Sequence, residues 1–230
     1  MCGRYVRFTP LRQLLPQFGV RPERIDDKLP GGYNIAPGQN ILVVREDTEQ
    51  GRTYGLLRWG LIPSWAKDPA IGHRMINARA EGVADKPAFR AAFRSRRCLV
   101  PADGFYEWAK KGNQRQPYYF QRRDRGSLAF AGLWERWHGN GGVVESCTII
   151  TTSANATLRS IHERMPVILA PEDYDLWLAP TQPPALLEQL LRPAPDDLLE
   201  AYPVSSQVNR PTSQGPGLIA PEEAPPELPF

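Results

Sequence analysis

Short apolar runs of strand length, each followed by turn residues, make up most of this sequence and restrict the folds that it can adopt. Six of these runs are rich in β-branched and aromatic residues, which favour strands. They span residues 41–45, 53–59, 98–100, 118–122, 128–134 and 143–151. Because these strands do not alternate regularly with helices, we predict a single α+β domain with a curved, barrel-like and mostly antiparallel β core.

Short helices are predicted to flank this β core. The first begins at Thr9-Pro10, with Thr9 as the N-cap and the proline in the first turn. The second spans residues 86–97 and carries two phenylalanines on one face, surrounded by arginines that we interpret as a solvated basic face. Two more short helices are predicted over residues 153–161 and 171–178.

Charge divides the chain into a basic body and an acidic end. Residues 1–170 hold 26 Lys and Arg against 15 Asp and Glu, whereas residues 171–230 hold 2 against 10. A basic body favours a polyanionic partner. Arginine supplies 23 of the 28 basic residues and binds phosphate bidentately. A GC-rich genome would give the same excess of arginine, and this alternative stays open.

Proline separates a terminal segment from the rest. Of the 24 prolines, 14 lie in residues 166–230, and the last twenty residues are rich in Pro, Glu and Gly with little to bury. Such a composition is typical of disordered chain ends. We therefore predict one domain over residues 1–210 and a mobile tail over residues 211–230 that is dispensable for folding and binding.

Several classes of protein are excluded. No apolar run approaches the roughly 20 residues of a membrane helix, and the N-terminus lacks the apolar segment of a secretory signal. We expect a cytoplasmic protein that does not bind membranes. The sequence has neither a GxGxxG nor a P-loop motif, so we expect no nucleotide cofactor. The three cysteines lack paired spacing, and no histidine has a ligand-like partner at metal spacing. We therefore predict no metal site or disulfide, and expect Cys98 and Cys147 to be buried in strands.

Cys2 becomes the N-terminal residue if Met1 is removed. An α-amine titrates at about 7.7–8.0, so roughly a third of it is neutral at pH 7.5. A neutral amine attacks an aldehyde to give a Schiff base, and the adjacent thiol can then close a five-membered thiazolidine ring. Cys2 is therefore either an aldehyde trap or an ordinary residue that happens to be second.

Eight segments follow the order of a known family. They include MCGRY at residues 1–5, YNIAPGQ at 33–39, INARAE at 76–81, RCLVPADGFYEW at 97–108 and IHERMPVI at 161–168. The others lie at residues 59–65, 130–134 and 204–209. Together they resemble the signature segments of the SOS-response-associated peptidase (SRAP) family, whose members are described as abasic-site processing proteins. The resemblance implies one α+β domain around a barrel-like core, which agrees with the strand pattern.

The resemblance implies that the protein binds single-stranded DNA and crosslinks covalently to abasic sites, whose ring-opened deoxyribose carries an aldehyde. It implies Cys2 as the nucleophile and Asn77 as the residue that orients its amine. Glu107 would exchange protons during ring opening and imine formation, and His162 would be a second acid or base. Without the resemblance, Glu107 would be interpreted as a surface residue or an arginine partner, His162 as a hydrogen-bonded structural residue and Asn77 as the cap of a turn.

The DNA contacts implied by the resemblance lie near these residues. The arginines of three segments would hold phosphates: Arg4, Arg79 and Arg164. Stacking or wedging against flanking bases is implied for Trp65, Trp108 and Pro37. The alternative for both tryptophans is packing in the core.

Two other functions stay open. A cysteine peptidase would use Cys2 and His162, in keeping with the name of the family. A non-covalent module would bind single-stranded DNA through arginine and tryptophan alone. We expect a monomeric enzyme of the DNA-damage response that crosslinks to DNA. A lyase activity that cleaves the strand would be a second activity of the same enzyme.

Overall fold

The computed structural model describes residues 2–21, 23, 25, 29, 31–112, 114–139 and 141–222, without the side chains of residues 111 and 114. The strands are β1 (Tyr5–Arg7), β2 (Gly32–Ile35), β3 (Asn40–Asp47), β4 (Gly51–Trp59), β5 (Asn77–Arg79), β6 (Arg97–Ala102), β7 (Gly104–Lys111), β8 (Gln114–Arg122), β9 (Leu128–Gly139), β10 (Gly142–Ser153), β11 (Arg164–Pro166) and β12 (Leu199–Pro203). The α-helices are α1 (Leu11–Leu14), α2 (Arg90–Ser95), α3 (Ala156–Arg159), α4 (Tyr174–Leu178) and α5 (Pro184–Gln189). Five 3₁₀ helices of the described chain are Leu15–Phe18, Pro69–Arg74, Pro171–Asp173, Ser206–Asn209 and Pro216–Ile219.

Five strands close into a barrel. The order of hydrogen-bonded neighbours is β10, β4, β3, β6 and β9, and β9 pairs again with β10. Four of these pairings are antiparallel, whereas β4 and β10 run parallel where Arg58 and Trp59 lie opposite Ser146 and Cys147. This mixed barrel with short helices around it confirms the predicted fold class.

A second sheet carries the N-terminus. Its strand order is β12, β8, β7, β1 and β2, and all of its neighbours are antiparallel. Tyr5 of β1 lies opposite Phe105 of β7, and Val6 lies opposite Gly104. This register brings the first residues of the chain alongside the middle of β7.

Alternate residues of the barrel strands belong to two different hydrophobic clusters, as the two-residue period of a strand requires. Leu42, Val44 and Leu99 face the helices, in a cluster with Phe93 and Trp177. The intervening residues of the barrel strands form a second cluster with Phe105 and Phe120 of the second sheet. They are Ile41, Val43, Trp59, Cys98, Val100, Phe130 and Cys147. Since each fully buried apolar side chain contributes about 1.5–3 kcal/mol, this interior fixes the second sheet to the barrel.

The strand predictions are confirmed and the helix predictions are partly wrong. All six predicted strands are present, as β3, β4, β6, β8, β9 and β10. The predicted helix over residues 153–161 is only α3, and that over residues 171–178 is a 3₁₀ turn followed by α4. Thr9 is not an N-cap, because its backbone N–H and its hydroxyl both donate to the Asp103 carboxylate, and Pro10 takes the cap position of α1.

The helix predicted over residues 86–97 is shorter than expected, because Arg97 belongs to a strand. The helix α2 stops at Ser95, and Arg97 begins β6 instead. Its side chain is 3% exposed, and its guanidinium donates to the carbonyls of Phe93, Trp177 and Ala179. The solvated basic face predicted for this segment is therefore wrong at Arg97, which joins α2 to the end of α4.

None of the helices in the described part of the chain combines the length and the apolar character that crossing a bilayer requires.

Residues 211–222 of the predicted tail pack against the domain. Leu218 is 3% exposed, and the Gln214 side chain accepts a hydrogen bond of 2.9 Å from the Tyr33 N–H. Val204 and Pro221 form an isolated antiparallel bridge. The rest of the predicted tail, residues 223–230, lies outside the described residues.

These contacts, together with the Pro- and Glu-rich composition of the last residues, predict different outcomes for two truncations. A chain that ends at residue 210 loses the burial of Leu218, which is worth about 1.5–3 kcal/mol, and should have a lower unfolding free energy by at least that amount. A chain that ends at residue 222 should match the full-length protein. Chemical denaturation of the three proteins measures this, and equal midpoints for all three would show that residues 211–222 do not stabilise the domain.

Candidate active site

Cys2 lies in the core, just before β1. Its side chain is fully buried within the cluster that fills the barrel and joins it to the second sheet. The Arg4 backbone N–H donates a hydrogen bond to the sulfur. Burial raises the pKa of the Cys2 thiol far above its ordinary value, and the negative charge of Glu107 raises it further. The thiol of the full-length chain is therefore neutral at physiological pH.

Glu107 lies on β7, next to this N-terminal segment. Its side chain is 2% exposed, and burial raises the pKa of its carboxyl group. The charge of His162 acts in the opposite direction and lowers that pKa. Glu107 therefore interacts electrostatically with both Cys2 and His162.

Asn77 begins β5, which runs parallel to β10 with Asn77 opposite Ile149. Its Nδ2 lies 3.4 Å from the Ile149 carbonyl oxygen. Its Oδ1 is buried, and no described residue donates a hydrogen bond to it. A buried acceptor without a donor is costly, so Asn77 has a free position for a donor such as an amine.

His162 is half-buried in the turn between α3 and β11. Its Nδ1 accepts the Arg164 backbone N–H at 2.9 Å, so the neutral ring carries its proton on Nε2. The Arg164 carbonyl oxygen lies 3.1 Å from the same Nδ1 and can accept a proton from it when the ring is charged. The backbone of Arg164 therefore presents both a donor and an acceptor to Nδ1 and fixes the orientation of the ring.

Strand β10 brings the remaining segments together. Its Thr151 lies opposite Arg79 of β5 on one side and Pro166 of β11 on the other. The strands that carry Asn77 and Arg164 therefore flank one strand, although about 90 residues separate them in the sequence. Tertiary pairing, and not sequence proximity, builds this half of the site.

The three predicted phosphate-binding arginines differ in their surroundings. Arg79 is exposed. The guanidinium of Arg164 is paired with both oxygens of Glu81 at 2.7 and 2.8 Å and also donates to the Thr151 carbonyl at 2.6 Å. Arg4 donates to Asn34 Oδ1 at 2.8 Å. In this structure, Arg79 is therefore the most accessible of the three to an outside anion.

Two grooves are lined by residues of the segments described above. One, of about 480 Å³, is lined by Trp65, Asn77 and Arg79 together with Arg74 and Lys86. Trp65 is 58% exposed, so the core-packing alternative is wrong for this residue.

The other groove, of about 380 Å³, is lined by Gly3, Arg4, Trp108 and Arg115. Trp108 is half-buried, and its indole N–H donates to Asn209 Oδ1 at 2.7 Å. Pro37 is exposed in the turn between β2 and β3. Basic and aromatic side chains thus line both grooves.

Two residues near the site were missed by the sequence reasoning. Glu81 pairs with Arg164, and this contact lowers the pKa of the Glu81 carboxyl group. Asn34 is fully buried and bonds to Arg4. Both lie inside the quoted segments, but their partners are 83 and 30 residues away, and nothing in the local pattern indicates such partners. Among the described residues, no three His, Cys, Asp or Glu side chains lie together as metal ligands would.

Comparison with known proteins places this site in context. A protein-family model described as SOS response associated peptidase (SRAP) matches residues 1–211. The chain is 45% identical over 227 residues to the abasic site processing protein YoqW of Bacillus subtilis (strain 168), covering 95% of this chain and 99% of that protein. It is 29% identical over 226 residues to the abasic site processing protein YedK of Escherichia coli (strain K12), covering 96% of this chain and 100% of that protein. A crystal structure of a protein from Bacteroides thetaiotaomicron has a TM-score of 0.86 at 26% identity and covers 96% of this chain and 100% of that one.

Burial of the three thiols predicts their alkylation behaviour. Burial raises the pKa of Cys98 to about 12 and raises the pKa of Cys2 and Cys147 as well. Because a raised pKa reduces the thiolate fraction at every lower pH, iodoacetamide should modify the native protein slowly, with a rate that still increases above pH 9. Protein unfolded in guanidinium is the control, with an inflection at about 8.5. An inflection below pH 7 that peptide mapping assigns to Cys2 would contradict the buried, neutral thiol.

Proposed function

The chain belongs to the SOS response associated peptidase (SRAP) family, and from that premise we propose that it captures abasic sites in single-stranded DNA as a covalent adduct of Cys2. The observation that carries the proposal is that one buried carboxyl group, Glu107, interacts electrostatically with both the second residue of the chain and His162. Removal of Met1 would turn the backbone nitrogen of Cys2 into a primary amine beside these two proton carriers.

The reaction follows from the chemistry of an aminothiol. The amine nitrogen forms a bond to the aldehyde carbon of the ring-opened deoxyribose, and the carbinolamine loses its hydroxyl as water after a proton reaches it. The Cys2 sulfur then adds to the imine carbon, and the thiol proton ends on the nitrogen. A neutral thiol is suited to this last step, because it supplies both the sulfur and the proton of the thiazolidine.

The surrounding side chains provide the proton transfers. A raised pKa keeps Glu107 protonated to higher pH than an ordinary glutamate, so it can protonate the leaving hydroxyl and the sugar ring oxygen. The free Oδ1 of Asn77 is available to accept a hydrogen from the amine. His162, with its proton on Nε2 when neutral, serves the later reprotonation or abstraction of a sugar proton.

The two grooves provide a path for the strand on either side of the abasic sugar. Arg79 would hold a phosphate in the first groove, whereas Arg164 would do so only by sharing or releasing Glu81. Trp65 in the first groove and Trp108 in the second would stack on or wedge against flanking bases, which is worth about 1–3 kcal/mol per base and reads no sequence. Pro37, in the turn between β2 and β3, would likewise stack on or wedge against a flanking base. We place this monomeric protein with the DNA of the cytoplasm, in the damage response.

The raised pKa of the Cys2 thiol disfavours the peptidase alternative. A cysteine peptidase needs a thiolate, whose pKa is lowered by a neighbouring base, whereas burial and Glu107 both raise the pKa of Cys2. A purely non-covalent DNA-binding module would not need the buried Cys2 and Glu107 or the neighbouring His162, because binding would depend on arginine and tryptophan alone. A lyase step would follow imine formation if His162 removed a sugar proton.

Substitution of the nucleophile separates capture from binding. Cys2→Ala retains the amine after Met1 removal but lacks the sulfur that closes the ring. It should therefore bind abasic single strands nearly as wild type does and form no adduct that survives a denaturing gel. Borohydride should still trap its imine. A stable, untreated crosslink from Cys2→Ala would contradict the thiazolidine, and peptide hydrolysis without any crosslink by wild type would favour the peptidase.

The two proton carriers should affect different steps. Glu107→Gln keeps the shape but cannot exchange a proton, so it should slow adduct formation about 10²-fold or more. Wild type should show a bell-shaped pH–rate profile, in which the rate rises as the amine deprotonates and falls as Glu107 loses its proton. Glu107→Gln should lose only the falling limb. His162→Ala should alter release or strand cleavage more than formation. Single-turnover time courses of formation and release measure both effects, and two variants that match wild type would make Glu107 and His162 structural residues.

A further inference from the structure

We propose that Arg4 is a positioning residue for Cys2, and that the fully buried Asn34 holds it there together with the chain segment of residues 208–214. This inference rests on the proposed function, because it concerns how the nucleophile of that reaction is placed. It also gives Arg4 a role other than the phosphate contact expected from the sequence.

The backbone of Arg4 connects the nucleophile to the proton carrier. Its N–H donates to the sulfur of Cys2. Its carbonyl oxygen accepts the N–H of Tyr106 at 3.0 Å, and Tyr106 immediately precedes Glu107 on β7. A displacement of Arg4 along or across β1 would therefore change the position of Cys2 relative to Glu107.

The half-buried side chain of Arg4 is held by three acceptors of the protein. Its Nη1 donates to Asn34 Oδ1 at 2.8 Å and to the Val208 carbonyl oxygen at 2.8 Å. Its Nη2 lies 3.5 Å from the Asn209 carbonyl oxygen. Burial lowers the pKa of Arg4, which is consistent with a guanidinium that points into the protein. Hydrogen bonds from a charged donor of this kind are stronger than neutral ones.

Asn34 holds the other side of this anchor. It is 0% exposed, and its Nδ2 lies within hydrogen-bond distance of the carbonyl oxygens of Val208, Arg210 and Ser213, at 3.1, 2.9 and 3.2 Å. One amide side chain thus ties β2 and Arg4 to a segment about 175 residues later. Because a buried amide that loses its partners is costly, this arrangement is strongly specified.

Gln214 binds the chain segment of residues 208–214 to the backbone of β2. Its Oε1 accepts the Tyr33 N–H at 2.9 Å, and its Nε2 lies 3.3 Å from the Asn34 carbonyl oxygen. The side chain therefore bonds to the backbone as a neighbouring strand would. It lies beyond residue 211, where the match to the family model ends, so this part of the anchor is additional to the matched domain.

Asn34 allows a sharp test because a fully buried side chain cannot contact DNA. Asn34→Ala should leave the affinity for a strand with a stable tetrahydrofuran abasic analogue, and its salt dependence, within about twofold of wild type. At saturating concentrations of an authentic abasic strand, its rate constant of adduct formation should fall about tenfold to 100-fold, as expected for a misplaced reacting group. Arg4→Ala should give the same rate loss, and the double variant should be no slower than Arg4→Ala.

Three further variants make the result decisive. Arg4→Lys keeps the positive charge, but its ammonium nitrogen lies one bond closer to the backbone than Nη1 and has no second nitrogen to approach the Asn209 carbonyl oxygen. A positioning role therefore predicts slow adduct formation with retained affinity. Gln214→Ala removes only the exposed end of the anchor, and should show a smaller rate loss in the same direction even if Asn34→Ala does not fold. Gln121→Ala is the matched control, because it removes a buried amide that bonds to Glu200 across the opposite edge of the same sheet.

The outcomes are distinct. Circular dichroism at the assay temperature must show each variant folded, and the Gln121→Ala control must react at the wild-type rate. If Arg4→Ala weakens binding and reduces the salt slope while Asn34→Ala and Gln214→Ala react as wild type does, Arg4 is a phosphate ligand and the inference is wrong. If wild type itself forms no adduct, the proposed function fails instead, and the two failures cannot be confused.

Discussion

Antiparallel pairing of β1 with β7 is the constraint on which the rest of the site depends. The register of Tyr5 opposite Phe105, with the Tyr106 N–H bonded to the Arg4 carbonyl, continues toward the N-terminus and makes Cys2 a near neighbour of Glu107. Residues at the beginning of a chain are usually frayed. Here, hydrogen bonds on both sides of β1 and a fully buried Cys2 fix the N-terminal segment in the core.

Burial of this cluster has an electrostatic consequence. A carboxyl group that is 2% exposed loses hydration, so its pKa rises and its neutral form is favoured. The same burial keeps the Cys2 thiol neutral. Such groups reduce the stability of a fold, and proteins retain them where chemistry needs them. Under the proposed function, a carboxyl group with a raised pKa beside the aminothiol of Cys2 suits imine chemistry better than thiolate chemistry.

Strand β10 is the second organising element. It pairs with β4, β5, β9 and β11 at different positions along its length. The barrel therefore closes on the same strand that aligns Asn77 and Arg79 with the turn carrying His162. Closure of the core and assembly of the site are one event, so substitutions within β10 should disturb both together.

The sequence by itself determined the six long strands, because their β-branched and aromatic residues alternate with a local period that needs no partner to be recognised. The motifs around Cys2, Asn77, Glu107 and His162 likewise indicated the family, and the roles of these four residues are part of the proposed function. Only the tertiary structure decided that Thr9 bonds to Asp103, that Arg97 is buried against α4, and that Glu81 and Asn34 hold two of the three expected phosphate-binding arginines. Each of these contacts joins residues from about 30 to more than 90 positions apart, or depends on burial by other elements. A local pattern specifies which backbone conformation a residue favours, but the partner of a polar side chain is set by what the folded chain brings to it.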